Sequence, residues 1–204
     1  MNELSASIAY RYHDNLYLNI TNRCPCDCQF CLRNDKAAVG EAQTLWLEHE
    51  PSADEVIEAL RAWDLRYFRE IVYCGYGEPF SAYEVMMQTA RWIKDCPDQL
   101  KVRLNTNGLG DLIVGRPTAP DLAGLFDAVS VSLNAPTPKA YEALCRPVFG
   151  LDALPHILSF TRQVKEYVPE VVLSVVDLLS PEDLAACEAI AADMGVPLRV
   201  RRFV

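Results

Sequence analysis

No stretch of the 204-residue chain approaches the ~20 apolar residues that a membrane-spanning helix needs. The most apolar segment, Val171 to Leu179, is short and interrupted by Ser174 and Asp177. The N-terminus carries neither the basic start nor the apolar run of a secretory signal. Basic residues are outnumbered, with 19 Lys plus Arg against 28 Asp plus Glu, for a formal net charge of −9. That balance gives no broad footprint for duplex nucleic acid or anionic lipid, although a local Arg patch could still bind a phosphate or carboxylate. Internal repeats and low-complexity segments are absent. The expectation is one domain over residues 1–204, soluble and cytoplasmic, with no membrane partner.

What the chain does have is cysteine: eight residues, at 24, 26, 28, 31, 74, 96, 145 and 187. Cys24, Cys26, Cys28 and Cys31 share one short window. Structural disulfides spread along a chain to close loops, so this bunching points to metal or redox chemistry in a reducing compartment.

Strand-like runs recur with helix signals between most of them. The expected strands are Leu16–Ile20, Glu70–Cys74, Lys101–Asn105, Ala128–Leu133, Val171–Val176 and Leu198–Phe203. Several are rich in β-branched residues, as buried parallel strands are. Ser52 with Glu55 and Ser81 with Glu84 have capping-box spacing. Thr137–Pro138 and Ser180–Pro181 put Pro directly after an N-cap. Val56, Leu60 and Trp63 form an apolar helical stripe, as do Leu154, Ile157, Thr161 and Val164, and Leu184, Cys187, Ala191 and Met194; these read as core. Alternating strands and helices predict an α/β fold with a parallel sheet. Six units are too few for an eight-fold barrel, so a partial (β/α)6 TIM-like barrel is expected. Residues 34–51 and 108–120 read as long loops framing a mouth.

The first strand runs into Thr21-Asn-Arg-Cys-Pro-Cys-Asp-Cys-Gln-Phe-Cys31, in which Cys24, Cys28 and Cys31 form C-x3-C-x2-C. Thiolates suit iron–sulfur clusters. Three ligands in one loop hold three irons of a cubane and leave the fourth iron open, to take the amino and carboxylate groups of a small molecule. Phe30, just before the last ligand, is placed to meet an adenine. A structural zinc site needs a second ligand pair, which is missing here. A thioredoxin-type Cys28–Cys31 pair leaves Cys24 and Cys26 unexplained. Cys26 breaks the spacing and reads as a bystander, with ligand exchange still open to it.

This constellation resembles the radical SAM superfamily, and within it the small radical SAM proteins associated with TatD-type nucleases. The tract Leu16 to Cys31, with its additional Cys, carries the closer likeness, and Leu45-Trp-Leu-Glu-His-Glu-Pro51 supports it. The resemblance implies a 4Fe–4S cluster and S-adenosylmethionine (SAM), with Cys24, Cys28 and Cys31 as metal ligands. It implies reductive cleavage of SAM to a 5′-deoxyadenosyl radical that abstracts hydrogen from a substrate. An external one-electron donor such as flavodoxin or ferredoxin is then required. No catalytic side chain is identifiable.

The resemblance also gives roles to the other strand ends. Gly75-Tyr-Gly77-Glu78-Pro79 is similar to the glycine–glutamate motif that holds the SAM amino group, although Tyr76 separates the glycines. Asn105-Thr-Asn107-Gly108 is a turn signature whose amides could also face SAM or substrate. Ser132 and Asn134, on one side by alternation, are candidates for the SAM ribose or carboxylate. Arg199 and Arg201 share a side and could anchor an anion; a solvated strand edge is the competing reading. Phe203 and Val204 could cover adenine. Arg146 reads as an ordinary surface residue, and Cys74, Cys96, Cys145 and Cys187 are spaced too widely to suggest a second cluster.

Two other subclasses fit a chain this short: an activase of glycyl-radical proteins, and an enzyme remodelling purine-like heterocycles. A non-enzymatic zinc module that binds a protein is the remaining reading. Metal analysis separates the last from the rest: anaerobically purified protein should be brown and contain iron and sulfide, whereas a colourless zinc protein would overturn the cluster.

Overall fold

The computed structural model describes residues 7–97 and 100–202. Seven strands form one sheet in strict chain order: β1 (Ala9–Tyr12), β2 (Asn15–Leu18), β3 (Glu70–Tyr73), β4 (Lys101–Thr106), β5 (Ala128–Ser132), β6 (Glu170–Val176) and β7 (Leu198–Arg201). β2 to β7 pair in parallel. The sheet does not close on itself, so the α/β architecture is a partial, barrel-like one. β1 is a seventh strand, antiparallel to β2. Its four residues are too short to announce a strand in the sequence, and the hairpin turn puts His13 at φ 55 without a glycine to mark it. The expected end of β7 at Phe203 lies outside the described residues, as do Phe203 and Val204 themselves.

The connections carry α1 (Ala53–Arg61), α2 (Tyr83–Asp95), α3 (Gly110–Val114), α4 (Pro138–Cys145), α5 (Ala153–Val164) and α6 (Pro181–Asp193). Right-handed crossovers between successive parallel strands put their helices on one face of the sheet. The residues pointing at that face are the core: Leu16, Leu18, Ile71, Tyr73, Val102, Leu104, Val129, Val131, Leu173 and Val175 are all fully buried. The alternate residues line the inner face, which is largely polar. Parallel register sets Asn105 beside Ser130, Ser132 beside Ser174, and Ser174 beside Arg199. No helix among the described residues is long and apolar enough to cross a membrane.

The capping box at Ser52 and Glu55 forms in full, and Thr137 and Ser180 cap α4 and α6. The expected box at Ser81 and Glu84 does not form. Ser81 instead sits inside a 3-10 turn, Pro79–Ala82, whose first N–H is capped by Glu78, and α2 starts after it with no side-chain cap. The segment 108–120 is not a plain loop, because α3 occupies part of it. Removing the real cap, Ser52→Ala, should cost about 1 kcal/mol, while Glu84→Ala should stay within about 0.5 kcal/mol of wild type. Urea unfolding of the two variants checks this.

Candidate functional site

The cysteine loop leaves the carboxyl end of β2 and is clamped on two sides. On one side lies the segment after α4. Asp27 N donates to Cys145 O at 3.1 Å, Gln29 N to Leu144 O at 3.0 Å and Val148 N to Pro25 O at 2.9 Å, and Cys26 and Pro147 form an isolated bridge. Asp27 also pairs with Arg33 at 3.9 Å and with Arg146 at 3.5 Å; Arg146 is an exposed surface residue, as expected.

On the other side lies the Gly75-to-Pro79 segment after β3. A Cβ on Gly77 would collide with the backbone oxygens of Thr21 and Arg23, and one on Gly75 with the Asn19 amide. Both glycines are therefore required by the close approach of two loops. Asn19, fully buried, completes the joint: its Oδ1 accepts from Tyr76 N at 3.3 Å and its Nδ2 donates to Leu45 O at 2.8 Å.

Glu78 is buried, and its N–H donates to Arg23 O at 2.8 Å. Its carboxylate accepts from the Thr106 hydroxyl and from Asn107 N, each at 2.7 Å, and from Phe80 N at 3.4 Å. The side chain thus braces the ends of β3 and β4 against each other. Burial pushes its carboxyl up to about 7, against the three donors that favour the charged form.

Asn107 then reaches the thiols. Its Nδ2 lies 4.0 Å from Cys24 Sγ and 3.7 Å from Cys26 Sγ. The Tyr141 hydroxyl approaches Cys26 Sγ at 4.0 Å, and Asn134 Nδ2 approaches Cys145 Sγ at 3.7 Å. Hydrogen bonding divides these sulfurs into two kinds. Cys24 is held low by Cys26, and Cys28 is held low by Cys145 and then Cys26. Cys26 and Cys145, as donors in a buried place, are pushed well above the ordinary thiol value. Burial also raises Cys31. Cys145 is far from the cysteine window in sequence, so only the fold reveals that it joins it.

The remaining predicted residues fall at the same end of the sheet. Phe30 is half-buried against the core. Asn134 follows β5 with φ 55, a left-handed conformation that Asn tolerates. Arg201 is solvent-accessible at the inner edge of β7 and reaches across β6 to Ser132 Oγ at 3.4 Å. Protein packed around its guanidinium lowers its value despite that access.

No group of three or more His, Cys, Asp or Glu side chains among the described residues is arranged to hold one metal ion; a cubane instead needs its thiolates spread around several irons. Two buried amide oxygens here, Asn105 Oδ1 and Asn134 Oδ1, have no hydrogen-bond partner. A ligand rich in donors, such as the ammonium and ribose hydroxyls of SAM, would satisfy them. The donor set and the orphaned acceptors fit the two cofactors.

An open parallel α/β barrel with a cysteine-rich loop after its first parallel strand defines a class of protein built around a thiolate-held cofactor. The chain matches the model of the Radical SAM superfamily over residues 18–191 and belongs to that superfamily, whose members use a 4Fe–4S cluster and SAM. Among solved structures it is similar to a radical SAM methyltransferase from Sphaerobacter thermophilus, with a TM-score of 0.66 and 19% identity over 95% of this chain and 68% of that one. It is also similar to SuiB from Streptococcus suis, solved bound to SAM, with a TM-score of 0.66 and 17% identity over 92% of this chain and only 38% of that one. At these identities the likeness is one of fold. No curated protein matches the chain.

The raised Glu78 carboxyl has a signed consequence. The stability it lends is complete below the ordinary carboxyl value of 4.5 and is lost as pH rises through about 7. Glu78→Gln can keep its bond to the Thr106 hydroxyl, which already accepts from Gly108 N at 3.0 Å. Unfolding stability of wild type should therefore fall between those pH values, and the variant should show a flatter profile. Parallel profiles would contradict the brace.

Proposed function

We propose that Cys24, Cys28 and Cys31 ligate the cluster and leave one iron open to the amino and carboxylate groups of SAM. The chemistry those cofactors supply is one-electron cleavage of SAM to methionine and a 5′-deoxyadenosyl radical that abstracts hydrogen from a substrate. The observation that carries the reading is convergence. The cysteine loop, the Gly75–Pro79 segment, Asn105 with Asn107, and Ser132 with Asn134 leave the carboxyl ends of four successive parallel strands, where parallel α/β folds build their sites.

In this reading Gly75, Gly77, Glu78 and Pro79 form the wall beside the SAM amino group, with Glu78 holding the wall in place. The amide oxygens of Asn105 and Asn134 accept from the ligand, Asn107 orients the thiolates, and Ser132 and Arg201 serve the ribose and carboxylate. Phe30 covers the adenine; Phe203, given the same role from the sequence, lies outside the described residues. Cys26 and Cys145 remain protonated neighbours that donate to the ligating sulfurs. Reduction comes from an external donor of the flavodoxin or ferredoxin type, and the reaction takes place in a reducing, cytoplasmic setting.

The subgroup reading, kinship with TatD-associated radical SAM proteins, rests on the tract Leu16–Cys31. It names a neighbourhood and not a substrate. Activation of a glycyl-radical protein and remodelling of a purine-like heterocycle are the other reaction classes this scaffold supports.

Anaerobically reconstituted protein given SAM and dithionite should produce 5′-deoxyadenosine. Cys24→Ala, Cys28→Ala and Cys31→Ala should each abolish both cluster absorbance and that product, whereas Cys96→Ala should retain them. Normal assembly and cleavage in the three ligand variants would sink the assignment.

A further inference from the structure

The inner face of the sheet continues below the strand ends into a cavity of about 940 Å³. It is lined by inner-face residues of the strands, Arg103, Val172 and Arg199 among them, and by the loops that precede β6 and β7. Glu70, Arg103, Ala128 and Glu170 lie on the side of the Asn105 level away from the cysteine loop, whereas Arg199, level with Ser174 and Ser132, stands on the side toward it. It is not the cofactor wall, and of its lining residues only Arg199 stands out in the sequence as an anion ligand.

Its charges are unequal in kind. Glu170 is tied to Lys101 at 3.1 Å, and Lys165 donates to Met194 O. Glu70 takes both Arg103 at 3.0 Å and the Asn15 amide at 3.0 Å. Every carboxylate lining the cavity is thus already engaged. The arginines are not all matched. Arg103 Nε is buried with no acceptor, a costly state for a guanidinium donor. Arg199 has no carboxylate partner among the described residues. Instead it stands two residues from Arg201 on the same side of β7, as their pairing with Ser174 and Val176 shows, close enough for the two like charges to repel. Two unneutralised arginines side by side, above a third with an unused donor, form an electropositive wall in a chain of net charge −9. Guanidinium groups so placed match the fork geometry of an oxyanion.

We propose that this cavity binds the substrate, that the substrate carries an oxyanion (a carboxylate or a phosphoryl group), and that Arg199 with Arg103 holds that group. The proposal rests on the radical SAM reading for the word substrate, but the anion site stands on its own residues. Arg201 follows Arg199 along β7 toward the carboxyl end of the strand, so the anion site adjoins the region given to the cofactor.

The test is equilibrium dialysis of the cluster-loaded protein at low chloride against labelled inorganic phosphate and, separately, labelled succinate. Saturable binding of one or the other is expected and identifies the oxyanion as phosphoryl or carboxylate. Arg199→Met and Arg103→Met should each weaken it about tenfold or more, and Arg202→Met should leave it unchanged. Arg103 is embedded in its pair with Glu70, so the exposed Arg199 variant is the deciding one should Arg103→Met fold poorly. Absence of saturable binding by wild type, or wild-type affinity in Arg199→Met, would overturn the proposal. So would an Arg199→Met variant that loses SAM binding and keeps anion binding. SAM-dependent change in the spectrum of the reduced cluster, read on the same samples, separates the two levels. Intact SAM binding without an anion site removes only this inference, and an anion site in a protein without iron removes only the reading before it.

Discussion

The buried carboxylate of Glu78 is the interaction on which the rest of the site depends. It accepts from Thr106 and Asn107 at the end of β4, while its own N–H holds the Arg23 carbonyl at the start of the cysteine loop. Three loops from three strands are thereby joined through one residue. Asn107, fixed in this way, presents its amide to the thiols of Cys24 and Cys26. The glycines at 75 and 77 let the loops approach closely enough for the joint to form. A carboxylate that would often be assigned to a ligand is here engaged within the protein, and three donors offset part of the cost of its burial.

The second half of the clamp comes from further along the chain. The segment 144–148 pairs with the cysteine loop through backbone hydrogen bonds and brings Cys145 against Cys28. A loop held on both sides by main chain has less freedom left to lose when a cofactor binds, which lowers the ordering cost of binding it. Amides and hydroxyls at the strand ends share the inner face with Arg103, Arg199 and Arg201, so one sheet presents two chemistries.

Much of this was legible in the sequence. Six parallel strands, their order and the polar residues at their ends follow from period-two alternation and turn residues, and the capping box at Ser52 follows from spacing alone. The failures have physical reasons. β1 is four residues long and has no glycine in its turn. Ser81 and Glu84 have the right spacing, but Pro79 starts a 3-10 turn two residues before Ser81 and Glu78 takes the capping role. Cys145 gave no local signal, because its partner Cys28 lies more than a hundred residues away and only tertiary pairing joins them. Arg103 was visible in principle, since it shares a strand face with Asn105, but nothing local distinguishes an inner-face arginine from one on a solvated edge.

The central claim is that three cysteines hold a cluster with one iron open to SAM. Mössbauer spectroscopy of protein reconstituted with iron-57 measures this most directly, because it resolves individual iron sites. The account predicts that SAM changes the parameters of a single iron in the cluster and leaves the thiolate-ligated irons as they were. Spectra indifferent to SAM, or a preparation in which no cluster iron assembles on Cys24, Cys28 and Cys31, would contradict it.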